Sequence, residues 1–242
     1  MVKLKGFIIH LKRTTERKSH VEKLCKKLPF ETNVIDAIDG QQLNKDDIKK
    51  VYKSHKYEPK YPFELSTNEI ACFLSHRKAW QAIVDQNLEA GFVIEDDVEL
   101  NDDFFEAFSF VNEHFTIEQY VRFPFREREK GKEIAKTSSH QLIRPIPVGL
   151  GMQAQLIGRV AAQKLLEATK TFDRPVDTSI QLFWETGVLP LSVLPGTVSE
   201  ISSSLGGSTI QKKPNIKDKL KREILRPLYR FRIKQRSSKT YL

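Results

Sequence analysis

Three consecutive carboxylates, Glu95, Asp96 and Asp97, follow the apolar run Phe92, Val93, Ile94. Side by side they repel one another, which costs stability unless a cation or a set of donors offsets it. If the apolar run is a strand, its period of two turns Glu95 and Asp97 to one face and Asp96 to the other. A few carboxylate oxygens at one spot suit a hard divalent cation, Mg²⁺ or Mn²⁺, which completes its shell with phosphate oxygens and water. The spacing therefore suits a metal–diphosphate. The same residues would also serve as an acidic loop end, or as an N-cap cluster for a helix entered at Asp102 and Asp103.

Such acids need a scaffold. Residues 6–11 read as a short buried strand and 12–27 as a polar helix with Val21, Leu24 and Leu28 at helical spacing, stopped by Pro29. Residues 31–38 read as a second strand closed by an Asp39–Gly40 turn. Strand, helix and strand at this spacing form a βαβ unit, which predicts a parallel sheet in an α/β fold. In open α/β sheets, ligands bind beyond the carboxyl ends of strands, where the three acids fall. Residues 41–65, with Pro59 and Pro62, read as a surface loop. Ser66 and Glu69 form a capping-box pattern, and Ile70, Phe73, Leu74, Arg77, Trp80, Ile83 and Val84 continue at helical spacing. Phe104, Phe105 and Phe108 mark another helix. The charged stretch 122–141 reads as a solvated loop or as a flap over substrate. A helix is expected around 160–169, with strand-like runs around Trp184 and Val193.

Charge divides the chain. Residues 1–210 carry 28 basic and 29 acidic side chains, a balance of −1, whereas 211–242 carry 12 and 2, a balance of +10, giving +9 in all. This predicts one globular domain, 1–210, and a basic tail, 211–242; at about 150 residues per domain the length of 242 agrees. A near-neutral body argues against a nucleic-acid partner, because neutralising phosphates takes surplus Lys and Arg on its surface. With 39% hydrophobic and 29% charged residues, the chain is neither a disordered polyelectrolyte nor a membrane bundle. Apolar runs such as 7–9 fall far short of the ~18 residues of a membrane span, and of a secretory signal. Two cysteines, Cys25 and Cys72, offer neither a disulfide framework nor a metal cluster and fit a reducing cytoplasm. Cys72 reads as a packing residue beside Phe73.

The stretch 68–80, N-E-I-A-C-F-L-S-H-R-K-A-W, followed by 91–98, G-F-V-I-E-D-D-V, resembles glycosyltransferase family 25, the lipooligosaccharide biosynthesis enzymes. The openings 9–17 and 35–40 and the later 175–177 are similar to theirs as well, so the resemblance covers roughly residues 5–210. It implies a GT-A-like, Rossmann-type mixed sheet flanked by helices. It further implies inverting transfer of a hexose, galactose or glucose, from a UDP-sugar to a lipid-linked lipooligosaccharide or LPS core acceptor, assisted by Mn²⁺ or Mg²⁺. On that resemblance Asp97 coordinates the metal, with Glu95; Glu95 and Asp96 otherwise contact ribose or support the site. Arg13 and Arg17 would donate to phosphate or uracil oxygens, and Asp36 and Asp39 would accept from the base or ribose. His76 and Arg77 would complete the nucleotide-sugar contacts. Asp177 is the first candidate for the base that takes the acceptor proton, with Glu185 behind it. Phe183 and Trp184 would form a sugar platform or pack in the core. The chain departs from the family pattern at Glu118–Gln119 and at 152–157, which bears on donor and acceptor identity. The rival readings are a nucleotide-sugar-binding or nucleotidyltransferase protein of the same fold, and a nucleic-acid-binding module working through the tail.

In that tail, Leu220, Ile224, Leu228 and Phe231 share a helical face, widened by Leu225 and Tyr229 and flanked by Lys221, Arg222, Arg226, Arg230 and Lys234, with a kink expected at Pro227. A basic amphipathic helix of this kind suits an anionic membrane surface, each basic group contributing about 1 kcal/mol. Through 212–242 it would hold a cytoplasmic enzyme at the inner face of the cytoplasmic membrane. The alternative is a helix packed on the body or between subunits.

Overall fold

The computed structural model describes residues 3–126, 128–205 and 216–240, without the side chains of 204 and 216–221. Of the features above, Glu127, residues 211–215 and the side chains of Leu220 and Lys221 lie outside the described residues.

Strand β1 (Leu4–His10) leads through a 3-10 turn (Thr15–Arg17) into α1 (Lys18–Lys27), and β2 (Thr32–Asp36) returns parallel to β1. Next come α2 (Lys45–Val51), α3 (Thr67–Asp85), β3 (Ala90–Glu95), β4 (Val98–Leu100) and α4 (Phe104–Glu113). Four strands follow: β5 (Tyr120–Arg122), β6 (Gly131–Lys136), β7 (Gln141–Pro145) and β8 (Ala154–Gly158). Helix α5 (Arg159–Ala168), the short helices α6 (Val176–Ile180) and α7 (Phe183–Thr186), β9 (Pro190–Leu194), β10 (Val198–Glu200) and α8 (Ile216–Thr240) complete the chain. Eight strands make one sheet in the order β2-β1-β3-β8-β5-β9-β7-β6, while β4 and β10 form a separate antiparallel ribbon.

The βαβ expectation holds for residues 4–36 and onward to β3, because β1 pairs in parallel with both β2 and β3. A parallel sheet throughout does not hold: β8 runs antiparallel to β3 and β5, and β7 antiparallel to β9. The result is a mixed sheet with helices on both faces, the architecture that the family resemblance implies.

Strand alternation builds the two layers. Ile8, Phe92 and Ile94 face Val21 and Leu24 of α1 and Phe104 and Phe108 of α4. Phe7, Ile9 and Val93, one residue out of step, face Ile70, Phe73, Trp80 and Ile83 of α3 and Leu165 of α5. Trp80 and Phe73 are fully buried, each side chain contributing about 1.5–3 kcal/mol of transfer free energy. Helix α3 starts where the capping box places it: Ser66 Oγ accepts from Glu69 N, and the Glu69 carboxylate accepts from Ser66 N at 2.8 Å.

Four local expectations are corrected. Residues 41–65 contain α2, capped by Asn44, whose side chain accepts from the amides of Asp46 and Asp47. Helix α1 begins at Lys18, six residues later than its polar pattern suggests, after the 3-10 turn. The charged segment 122–141 holds the edge strand β6, whose Lys and Glu side chains point into water as edge strands require. Trp184 lies in the helical turn α7 rather than in a strand.

Pro227 lies inside α8, where it offers no N–H to the carbonyl of Glu223. The helix packs on the body through Tyr229 and Ile233, which bury against Leu182 with Tyr57, Tyr61 and Trp184 alongside. Arg174 Nη1 donates to Tyr229 Oη at 2.7 Å, and Arg236 donates to the Glu58 carbonyl at 3.0 Å. Ile224, Leu228 and Phe231 remain 64%, 47% and 63% exposed. No helix among the described residues is long and apolar enough to cross a membrane.

Candidate functional site

The strand order β2-β1-β3 makes the chain leave β1 in one direction and return on its other side. Between the carboxyl ends of β1 and β3 this opens a crevice, the place where ligands bind in such sheets. Ile9 is in register with Glu95, and His10 with Asp36, so the residues that follow these strands gather at one edge. The cleft there is lined by Arg13 and Arg17 after β1, by Asn68, Cys72 and His76 of α3, and by Glu95, Asp96 and Asp97. Its wall at 37–40 is held to α3. Ile38 N donates to Ser75 Oγ at 2.8 Å, and Gly40 lies so close to Asn68 that a Cβ would collide with it.

Strand parity assigns two of the three acids. Glu95 follows Val93 onto the α3 side, where its Oε1 lies 3.1 Å from His76 Nε2. Asp96 follows Ile94 onto the α1 side; its carboxylate meets His10 Nδ1 at 2.7 Å and Arg17 Nη1 at 2.6 Å. Asp97 breaks the expected alternation, because β3 ends at Glu95 and residues 96–97 turn into β4. Arg17 Nη1 therefore reaches Asp97 as well, at 3.2 Å, and His20 Nε2 lies 2.8 Å from the carbonyl of Val98, tying the turn to α1.

The charges are unevenly compensated. Asp96 is buried against the Arg17 guanidinium and the His10 ring. Burial alone would lower the pKa of Arg17, but Asp96 and then Asp97 raise it above its ordinary value. The Asp97 carboxyl is pushed up to about 7, first by burial and then by the neighbouring charge of Glu95, against which Arg17 is insufficient. A partly buried carboxylate so short of positive charge fits a bound cation. The acids do not present three converging ligands, because Asp96 is spent on Arg17 and His10; the fit is to Asp97, with Glu95 beside it.

Asp177 sits in the first turn of α6. Its Oδ2 accepts from Gly151 N at 3.2 Å and its Oδ1 from Thr178 N at 2.6 Å. Burial raises its pKa by more than these donors lower it. Gly151, at φ +102, is held by Arg122, whose guanidinium donates to the carbonyls of Leu150 and Gly151. Two residues on, the Gln153 carbonyl accepts from Glu95 N at 2.9 Å, so residues 151–153 are hydrogen-bonded to both Asp177 and Glu95.

The structure scatters the other expected residues. Arg17 is committed to Asp96 and Asp97 rather than open to a nucleotide, since two buried carboxylates claim its guanidinium. Arg13 pairs with Asp39 at 2.9 Å and Lys12 with Asp36 at 2.6 Å, so these acids lie at the mouth as ion pairs. Arg77 points away from the cleft, donating to the Leu166 carbonyl and to Thr169 Oγ1 because α3 packs on α5 there. Glu185 lies outside the cleft and pairs with Arg236 of α8 at 3.4 Å. Phe183 is buried, and Trp184 lies under the Arg236 guanidinium. Sequence reasoning misses His10, whose place at the end of β1, in step with Ile8, is the available signal. It also gives Cys72 a packing role alone.

A crevice at the carboxyl ends of parallel strands, walled by acids, is the ligand-binding place of an α/β protein. The chain belongs to glycosyltransferase family 25: residues 3–180 match the sequence model of that family, described as LPS biosynthesis protein. Human procollagen galactosyltransferase 2 is 34% identical over 101 residues, 40% of this chain and 16% of that protein. A glycosyltransferase 25 family member of Drosophila melanogaster is 28% identical over 190 residues, 74% of this chain and 30% of that protein. The mouse protein named inactive glycosyltransferase 25 family member 3 is 33% identical over 101 residues, 40% of this chain and 17% of that protein. The aligned stretches thus cover less than a third of these longer relatives. Among solved structures, A197 from STIV superposes with a TM-score of 0.41 at 12% identity, over 81% of this chain and 83% of that one. A glycosyltransferase involved in glycosylation of the major capsid of PBCV-1 gives 0.35 at 14%, over 74% and 65%.

Proposed function

We propose that the chain is an inverting hexosyltransferase that moves galactose or glucose from a UDP-sugar to a lipooligosaccharide or LPS core acceptor. The observation that carries this reading is Asp97: a carboxylate with too little positive charge around it, at the switch point of the sheet, in a chain of this family. Galactosyl transfer in the names of several relatives supports a hexose donor. Asp97, with Glu95, would hold Mn²⁺ or Mg²⁺, which when bound neutralises charge on the departing diphosphate. Arg17 fixes the Asp96–Asp97 turn so that Asp97 need not reorganise. Asp177 takes the proton of the acceptor hydroxyl at a carboxylate oxygen as the new glycosidic bond forms. The raised pKa that burial gives Asp177 suits that task.

A lipid-linked acceptor is favoured by α8, which leaves Ile224, Leu228 and Phe231 exposed beside exposed Arg230 and Lys234. Such a face suits an anionic bilayer and supports a peripheral place at the inner face of the cytoplasmic membrane. The inactive mouse relative favours one second reading, a protein that binds a nucleotide sugar without transferring it.

A panel of UDP-hexoses assayed for UDP release, with and without Mn²⁺, tests the proposal. Metal-stimulated release with one donor, increased by a lipid-linked core oligosaccharide, is expected. Donor binding with no release under any of these conditions sinks the transferase reading in favour of the second one.

A further inference from the structure

Cys72 and His76 are one helical turn apart on α3, and both line the cleft opposite Glu95. A Cys72 sulfur, a His76 ring nitrogen and a Glu95 carboxylate oxygen all lie within 4.8 Å of one another. Ligands about 2.0–2.3 Å from a tetrahedral zinc ion would stand roughly 3.3 Å apart as N and O, and roughly 3.6 Å apart where sulfur is one of them. The His76–Glu95 edge is 3.1 Å, so two of the three ligands already span one edge of such a tetrahedron. The third lies on a one-torsion side chain that has only to close the remaining ångström.

Donor chemistry selects the ion. Mg²⁺ and Mn²⁺ take oxygen and avoid thiolate, whereas sulfur, imidazole and carboxylate together suit Zn²⁺. A zinc ion bound there would take the Cys72 sulfur as the thiolate, since a coordinating thiol is deprotonated outright.

We propose that Cys72, His76 and Glu95 form a Zn²⁺ site in the cleft wall, with its fourth position open to the cleft. This is distinct from the hard cation assigned to Asp97, and the two compete for Glu95. Zinc bound by the three would withdraw Glu95 from Asp97 and make the chain sensitive to inhibition by zinc. The site rests on ligand geometry and stands whether or not the chain transfers a sugar.

The test uses the full, untagged chain stripped of metal by chelation and titrated with Co²⁺ as a spectroscopic probe. The expected result is one equivalent bound with tetrahedral visible bands and a near-ultraviolet thiolate-to-cobalt band, all bleached by Zn²⁺. Cys72→Ser should remove the thiolate band and Cys25→Ser should retain it. His76→Gln and Glu95→Gln should weaken Co²⁺ binding by more than about tenfold, the loss that even an outer partner of a metal site can cause. A wild-type titration without a thiolate band, or a band that survives in Cys72→Ser, overturns the proposal. Alkylation with iodoacetamide, read by mass spectrometry on the wild-type chain, decides the matter if a variant does not fold. Zn²⁺ should slow modification of Cys72 about tenfold or more and leave Cys25 unchanged; equal rates with and without Zn²⁺ overturn the proposal.

Discussion

At the ends of β1 and β3, Asp96 and Asp97 share one buried guanidinium, that of Arg17, while along α8 basic side chains outnumber acidic ones and most stand in water. Both regions mix charge with apolar surroundings, and the way each closes its balance differs. In the cleft the imbalance is internal: Asp96 pairs with Arg17 and His10, while Asp97 shares Arg17 and lies beside Glu95, and on our proposal a bound cation meets it. On α8 the surplus faces outward beside exposed Ile224, Leu228 and Phe231, and on our proposal an anionic surface meets it.

Four variants break or sharpen that contrast. Arg17→Met should act most strongly, because it leaves two carboxylates buried without their cation; a loss of about 3–5 kcal/mol in urea unfolding is expected. A loss below about 1 kcal/mol would show that His10 and water suffice. Asp97→Asn should leave the melting temperature unchanged or raised while cutting UDP release by about 10²- to 10³-fold, the scale of charge-stabilising groups; full activity would remove Asp97 from the metal site. The pair Leu228→Asp and Phe231→Asp should lower partition onto anionic vesicles by roughly 100-fold with stability unchanged, since each loses its apolar insertion. Unchanged vesicle binding would leave α8 purely as a packing helix. Tyr229→Phe should do the reverse, costing about 1–2 kcal/mol of stability through the unmet Arg174 donor with vesicle binding intact. Removing the whole tail would blur the two effects, because it strips Arg174 of Tyr229 and uncovers Leu182.

The cleft is legible in sequence where strand parity and capping govern it. Apolar 92–94 places Glu95 and Asp96 on opposite sides, and Ser66–Glu69 fixes the start of α3 and hence the heights of Cys72 and His76. Parity fails at Asp97, where the strand ends and a turn obeys hydrogen bonds to α1 instead. Charged residues near the cleft are less legible than their types suggest. Arg17, Arg77 and Glu185 each find a partner in tertiary structure, and nothing in local spacing says that α3 packs on α5 or that Arg236 reaches back to α7. The tail reads as one amphipathic face in sequence, and it has two. Tyr229 and Ile233 dock inward, and Ile224, Leu228 and Phe231 point away. An apolar stripe on a helix does not declare which side meets the body.

Because α8 is pinned to the body along one side, it does not swing freely as a tether would. With its outer face on lipid, such a helix works as a spacer of fixed height between the bilayer and the cleft. Asp177 lies four residues from Asp173, whose carboxylate grips the Arg174 that holds Tyr229, so the proposed proton acceptor and the helix share one mount. Glycans whose growing end stands at that height would be extended, and shorter or longer ones passed over, so that the docking of a helix would select acceptor length.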